Sequence, residues 1–210
     1  RQVCEGVEGE KKIKNLLKLL KNKGKGKKYD CIMGISGGVD STFLALWTKK
    51  NGLRPLAVHF DNGWNSELAV KNIENILQKL NIDLYTYVVN WEEFKDVQLA
   101  YLKASVVDIE IPTDHAFVAV LYQAAAENNI KYILSGHNYV TESILPRHWI
   151  YEKGDDINIK AIHKKFGTVK LKTFPFLTTL KRLYYMNVLK LRNFYPLNYI
   201  RYNKKEVKKI

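Results

Sequence analysis

The sequence predicts an α/β protein built on an open parallel sheet of about five strands, with helices on both faces. Three observations predict it. Short apolar runs alternate with amphipathic stretches, the rhythm of βαβ crossovers. A glycine-rich hexapeptide, Ser36–Ser41, joins the first apolar run directly to the next helical stretch. The chain has 210 residues, of which 46% are apolar. That is material for one packed domain of ordinary size and excludes a disordered or low-complexity protein.

Ile13, Leu16, Leu17 and Leu20 fall at i, i+3, i+4 and i+7 and predict an amphipathic helix over Glu8–Lys21, stopped by the Lys/Gly loop Asn22–Lys28. Tyr29–Ile35 is short, apolar and bounded by turn residues, as a buried strand should be. After the glycine-rich hexapeptide, Ser41–Gly52 (STFLALWTKKNG) reads as a helix closed by Gly52 in a left-handed cap. Arg54–Phe60 is the second strand. Asn65 or Ser66 caps a helix carrying Leu68, Ile73, Leu77 and Leu80, and Asp83–Val89 is the third strand. Asn90–Ser105 gives another helix, Thr113 or Asp114 caps one reaching about Asn129, and Lys131–Ser135 is a fourth or fifth strand. Beyond Tyr139 the alternation fails. Residues 141–200 are rich in aromatic and basic side chains, with Pro146, Pro175 and Pro196 as punctuation, and read as helices and loops. The organisation expected is a core over 8–140 and a basic, helical or irregular extension over 141–210. That extension completes the substrate site, as part of the same domain or as a small appendage.

Charge is unevenly spread. The chain carries a net +13, yet residues 161–210 hold 13 Lys/Arg against the one acid Glu206, while residues 1–160 hold 21 basic and 20 acidic residues. Such a basic stretch is a solvated surface, or it faces nucleic acid, an acidic small molecule or an acidic partner. Cys4 and Cys31 form no CxxC pair, which excludes a disulfide scaffold and a zinc ribbon and fits a reducing, cytoplasmic setting. No pair among His59, His115, His137, His148 and His163 has the i, i+4 spacing of a helical metal site, so no structural zinc is expected. No apolar run approaches the about 20 residues of a membrane span, and RQVCEGVEGEKK lacks the apolar core of a signal peptide, so no membrane insertion is expected.

In an open parallel sheet, ligands bind beyond the carboxyl ends of the strands. That rule selects Ser36–Ser41, His59–Trp64 and Gly136–Asn138. Ser36-Gly37-Gly38-Val39-Asp40-Ser41 stands between a strand and a helix start, where unpaired N–H groups and the helix dipole favour an anion. Two glycines allow close approach to phosphate oxygens, and two serines add hydroxyl donors. A carboxylate beside phosphates is repelled unless a cation lies between them, so Asp40 points to Mg²⁺. The plain alternative is a glycine-rich turn with Asp40 capping the helix. The hexapeptide is neither a Walker A loop nor a dinucleotide GxGxxG loop.

It resembles the PP-loop, SGGxDS, of the ATP pyrophosphatases, a family that cleaves ATP between its α and β phosphates and has a five-stranded parallel sheet. Further segments narrow the resemblance: HFDNGWNSELAVKNIENI (His59–Ile76), IPTDHA (Ile111–Ala116), SGHN (Ser135–Asn138) and LKTFP (Leu171–Pro175) are similar to the N-acetyl sugar amidotransferases of bacterial surface-polysaccharide and lipopolysaccharide pathways. The resemblance implies conversion of an acetamido group on a nucleotide-linked sugar into an acetamidino group. ATP and Mg²⁺ would serve the reaction, AMP and pyrophosphate would leave, and ammonia would come from a separate glutaminase. Full-length members begin earlier, with cysteine pairs, and continue further, so this chain is expected to be a fragment or only the ordered part.

On that reading Asp40, Asp61 and His137 are the catalytic candidates, and Asp40 the metal ligand. Ser36, Gly37, Gly38, Asp40, Ser41, His59, Phe60 and Gly136 are the candidates for holding ATP. Asp114, His115, Asn138, Arg147, Lys170 and Lys172 are the substrate candidates. Each has a plainer alternative: an Asx turn for Asp61, a packed histidine for His137, a helix cap for Asp114, surface charges for the basic residues. Trp64, Trp91 and Trp149 are candidate stacking surfaces, with core packing preferred for Trp91. Cys4 has no elbow pattern and Cys31 lies inside a strand, so neither fits a glutamine-hydrolysing thiolate, which is why a glutaminase partner is expected. The competing reading is a tRNA-modifying PP-loop enzyme of lysidine or thiolation type, which the basic stretch suits; thiolation would need suitably placed cysteines and lysidine formation would not, and nucleic acid is not the favoured partner. A catalytically silent nucleotide-binding subunit is a further rival.

Overall fold

Strand β1 (Cys31–Gly34) is the middle of the sheet because its side chains are apolar on both faces: Cys31, Ile32 and Met33 are fully buried. The structure is a computed structural model that describes residues 6–139 and 152–200. Strands β2 (Pro55–Asp61) and β4 (Tyr132–Leu134) flank β1, with β3 (Asp83–Val88) outside β2 and β5 (Arg192–Phe194) outside β4. The order is β3-β2-β1-β4-β5 and every pairing is parallel. Each return to the sheet therefore crosses one of its faces.

Side chains alternate between two cores. Ile32, Leu56, Val58 and Phe60 enter the one covered by α4 (Trp91–Lys103), α5 (Ile111–Glu127) and α6 (Asp156–Phe166). Cys31, Met33 and Ala57 enter the other, covered by α1 (Val7–Lys23), α2 (Val39–Lys50) and α3 (Glu67–Leu80). The expected two-faced α/β sheet is present.

Ser66, not Asn65, caps α3, its Oγ accepting from the Ala69 N–H at 3.2 Å, and Asn90 caps α4 through the Glu93 N–H at 3.3 Å. Helix α2 ends as expected, with Gly52 at φ +70. Helix α5 corrects an expectation. It begins at Ile111 behind Glu110, with Pro112 in its first turn, where a fixed φ and a missing N–H cost nothing. Thr113 and Asp114 thus lie inside the first turn and cap nothing.

The fifth strand has no pattern in the sequence that places it. It is Arg192–Phe194, an edge strand with two exposed residues and no apolar run to betray it. The Arg192 N–H donates to the Lys131 carbonyl at 2.8 Å and the Ser135 N–H to the Phe194 carbonyl at 2.9 Å. Ile159, Phe174, Leu177 and Leu191 join the α4–α6 core, so the described part of 141–210 shares that core with the sheet.

Two buried carboxylates on α4 hold the segment that follows α6. Asp96 accepts from Thr168 N and Val169 N at 2.9 and 3.0 Å, from Thr168 Oγ1 at 2.8 Å and lies 2.8 Å from His163 Nε2. Burial would raise its pKa, but these contacts outweigh burial and hold the carboxyl well below the usual range. Glu93 accepts from Thr173 N and Phe174 N at 2.9 and 2.8 Å, and the same balance keeps it low. At the opposite end of the sheet, buried Asp30 accepts from the Arg54 backbone N–H at 2.8 Å and from its Nη2 at 2.7 Å, fixing the starts of β1 and β2.

Candidate active site

The chain leaves β1 at Gly34, where an added Cβ would run into the Phe117 ring of α5. It passes Ser36, turns at Gly37 (φ +73) and enters α2 with Gly38 as the N-cap residue. Asp40 therefore stands in the first turn, beyond the cap, so the plain capping alternative for Asp40 does not hold. The Ser36 N–H donates to Ser41 Oγ at 3.3 Å, the two serine Oγ atoms are 3.3 Å apart, and Ser41 Oγ donates to the Gly38 carbonyl at 3.1 Å. These bonds hold the loop closed at the amino end of α2, which is the geometry that receives an anion.

Gly136, just after β4, packs on this loop: a Cβ built there would stand 3.5 Å from the Asp40 carbonyl. The sheet order reverses between β1 and β4, and the crevice at such a reversal is where open α/β sheets bind ligands. A cleft of about 370 Å³ opens there, the size of a small-ligand site. Ser36, Gly38, Asp40 and Ser41 form one wall, and Ser135, Gly136 and His137 another. His59, Phe60, Asn62 and Asn65 enter from the end of β2, and Thr113, Asp114, Phe117 and Leu121 from α5. Phe60 and Phe117 meet edge to face, 6.5 Å between centroids, and with Leu121 give the cleft an apolar side. The cleft is polar where α2 begins and at Thr113 and Asp114, and apolar along Phe60, Phe117 and Leu121.

His59 is buried on the wall, with Nδ1 3.3 Å from the Ile35 carbonyl. His137 lines the cleft, and its N–H donates to Ser135 Oγ at 3.2 Å. Asp114 lines it too and is ion-paired with Lys153, which also reaches Asp108 at 3.7 Å. Burial opposes the Lys153 charge, but Asp114 and Asp108 outweigh it and raise its pKa. Sequence reasoning missed Lys153, whose contact with Asp114 is long-range and leaves no local pattern.

Other candidates do not reach the cleft. Asp61 is not on the lining; its Oδ1 accepts from Gly63 N at 3.1 Å and Asn65 Nδ2 at 3.0 Å, the Asx-turn geometry that presents Asn62 and Asn65. Gly37 turns the loop from behind. His115 faces away, Nδ1 2.9 Å from the Lys153 carbonyl and Nε2 accepting from the Leu177 N–H at 3.0 Å, a buried brace and not a substrate contact. Asn138 is buried off the cleft, and Lys170 and Lys172 are exposed on the segment after α6. Trp91 is not a core residue: it is 39% exposed and packs against Trp64. Arg147, His148, Trp149 and Cys4 lie outside the described residues. Cys31 is fully buried in β1, and burial pushes its thiol pKa far up, the reverse of an activated thiolate.

A comparison of the sequence with protein families matches residues 30–145, more than half of the chain and the whole of this site's β1, β2, α5 and β4 framework, to the family described as "Queuosine biosynthesis protein QueC". The chain belongs to the QueC family. QueC is a PP-loop ATP pyrophosphatase family, so the SGGVDS loop and its superfamily agree. The QueC match does not extend to the N-acetyl sugar amidotransferases. An uncharacterized protein of Methanocaldococcus jannaschii is 39% identical over 77 residues, 36% of this chain and 28% of that protein. The tRNA(Ile)-lysidine synthase of Chlamydia pneumoniae is 28% identical over 138 residues, 64% of this chain and 40% of the synthase. This QueC-family chain thus spans less than half the length of either relative. Among solved structures, the NH3-dependent NAD synthetase from Campylobacter jejuni gives a TM-score of 0.49 at 17% identity, covering 75% of this chain and 72% of that one. The U34-tRNA thiolase NcsA from Methanococcus maripaludis gives 0.49 at 15% identity, covering 96% and 62%.

Among the described residues no helix is long and apolar enough to cross a membrane. Nor do they gather three or more His, Cys, Asp or Glu as a metal site. The donor set at α2, one carboxylate beside two hydroxyls and a phosphate-receptive helix start, suits an Mg²⁺ ion that shares its coordination with substrate phosphates and water.

Proposed function

We propose that this chain activates an amide carbonyl with ATP and transfers ammonia to it, converting an acetamido group of a nucleotide-linked sugar into an acetamidino group. The observation that carries the reading is the Ser36–Ser41 loop at the start of α2, with Asp40 in the cleft formed at the β1/β4 reversal. A loop that grips the β and γ phosphates makes pyrophosphate the leaving group and leaves the α-phosphorus to the acceptor.

The amide carbonyl oxygen attacks the α-phosphorus, the bond to the bridging oxygen breaks and pyrophosphate departs. Ammonia then adds to the carbon of the O-adenylyl imidate, loses a proton and expels AMP. An amide carbon is a poor electrophile, and adenylylation supplies its leaving group. Asp40 would hold Mg²⁺, which supplies charge neutralisation for the departing pyrophosphate. Ser36 and Ser41 present hydroxyls to its oxygens. His137 lies on the opposite wall, within the cleft where charge develops on the adenylate, and Asp114 with Lys153 flanks the acceptor side. Ammonia would come from a glutaminase active site outside the described residues, whose one cysteine, Cys31, is buried and offers no thiolate.

A second reading, modification of tRNA, is favoured by the excess of basic over acidic residues in 161–210 and by the words tRNA(Ile)-lysidine synthase and queuosine biosynthesis among the relatives. One experiment separates them. The protein is incubated with ATP, Mg²⁺ and ammonium, and with either a panel of nucleotide-linked acetamido sugars carrying ¹⁸O in the acetamido carbonyl or unmodified tRNA. Transfer of ¹⁸O into AMP from a sugar supports the first reading. Pyrophosphate release driven by tRNA and indifferent to sugars replaces it with the second.

A further inference from the structure

We propose that Trp64, backed by Trp91, is a stacking platform for the nucleobase of the acceptor, a second ring site beside the ATP cleft. The proposal rests on the nucleotide-linked acceptor argued above. Trp64 leaves 65% of its surface in water, an arrangement that forfeits burial of a large apolar side chain. Yet it is not loose. Its Nε1 donates to Gln98 Oε1 at 2.6 Å, its N–H donates to Asn62 Oδ1 at 3.1 Å, and its ring meets Trp91 at 5.5 Å with the planes 70° apart.

The backbone supports the same placement. Gly63 adopts φ +78, and a Cβ on it would stand 3.0 Å from the Trp91 ring, so the turn that presents Trp64 closes directly over Trp91. An exposed aromatic fixed on both its polar atom and one ring contact is pre-organised for its remaining face, at little entropic cost to binding. With Nε1 already engaged, that face offers stacking and no further hydrogen bond.

Position supplies the ligand. Asn62 and Asn65 on either side of Trp64 line the cleft, while the Trp64 ring stands outside the lining, held against Trp91 and Gln98 of α4. A ring stacked on Trp64 would belong to a part of the acceptor that extends past Asn62 and Asn65, beyond the cleft. In the proposed reaction the acetamido group must reach the α-phosphorus inside, so the nucleoside end of the acceptor trails outward, and its base is the planar group that arrives at Trp64.

The test is a tryptophan-fluorescence titration of the protein, saturated with a non-hydrolysable ATP analogue, with uridine 5′-diphosphate, guanosine 5′-diphosphate and free N-acetylglucosamine. A nucleoside diphosphate should quench emission saturably. Trp64→Ala should weaken that binding about tenfold and Trp64→Phe much less, since a stacked base is worth about 1–3 kcal/mol by alanine substitution. The affinity of the ATP analogue should stay unchanged in both. Unchanged diphosphate affinity in Trp64→Ala overturns the platform, as does tighter dependence of the free sugar than of the diphosphates on Trp64. So does loss of ATP-analogue affinity in Trp64→Ala, which would make the ring adenine. If the diphosphates bind through Trp64 while no nucleotide-linked sugar is turned over, the platform stands and the acceptor reading fails; turnover without Trp64 dependence is the reverse.

Discussion

Gly37 lies against the Ala69 carbonyl: at φ +73, a Cβ on Gly37 would stand 2.5 Å from that oxygen. The phosphate-receptive loop and the first turn of α3 are thus packed backbone to backbone. Gly37→Ala must strain φ, costing about 1–2 kcal/mol, and also push the loop off α3. The expected outcome is a protein that folds, with urea unfolding shifted by at least that amount and KM for ATP raised about tenfold or more. A variant with wild-type KM would detach the loop geometry from ATP binding.

Asp40→Asn keeps the size of the side chain and removes its charge from the cleft. Turnover should fall by about 10²–10³-fold, the usual loss when one electrostatic group leaves a transition-state site. Thermal unfolding should be little changed, because Asp40 is only half-buried in the first turn of α2 and is not a core residue. Pyrophosphate release measured at saturating ATP checks the first part, and calorimetry the second.

Asp96 makes acid stability a property of the α4 clamp. Its folded pKa is depressed, so its contribution is full above the unfolded carboxyl range, about pH 4, and drains as pH falls towards the lower folded value. Asp96→Asn should cost about 2 kcal/mol at pH 7. Urea unfolding of both proteins at pH 7 and pH 3 should show that difference shrinking in acid. A difference that grows on acidification would contradict the clamp.

His115 acts nearer neutrality. Burial lowers its pKa, and its Nε2 must stay unprotonated to accept from Leu177, which leaves the Nδ1–H to donate to Lys153. Its folded pKa is below the unfolded value of about 6.5, so its stabilisation is present above that pH and lost as pH falls through the folded value. Melting temperatures of the wild type should drop between pH 7 and pH 5, and those of His115→Gln should change less.

The sequence was most legible where local pattern and function coincide. The apolar run Tyr29–Ile35, the hexapeptide after it and the helix closed by Gly52 need no tertiary information. The site residues at or just beyond the carboxyl ends of strands, His59 and Phe60 in β2 and Gly136 and His137 after β4, follow from the rule for open sheets. What was hidden depends on contacts distant in sequence. Lys153 meets Asp114 across 39 positions, and β5 is three residues whose strand character comes from pairing with β4. His115 looked like a site residue because IPTDHA carries a family resemblance, but helix α5 starts earlier than its polar residues suggested and turns the imidazole to the loop behind it. Core packing is the expectation for Trp91, whereas the turn at Gly63 brings it under Trp64.

If the Ser36–Ser41 loop grips the β and γ phosphates, ATP is opened at the α-phosphorus. The nucleotide product decides it. The protein, ATP, Mg²⁺, ammonium and the acceptor panel are combined, and the products are resolved by anion-exchange chromatography. AMP and pyrophosphate should appear in equal amounts, only with an acceptor present, and about 10²–10³-fold more slowly in Asp40→Asn. Formation of ADP and inorganic phosphate would contradict it.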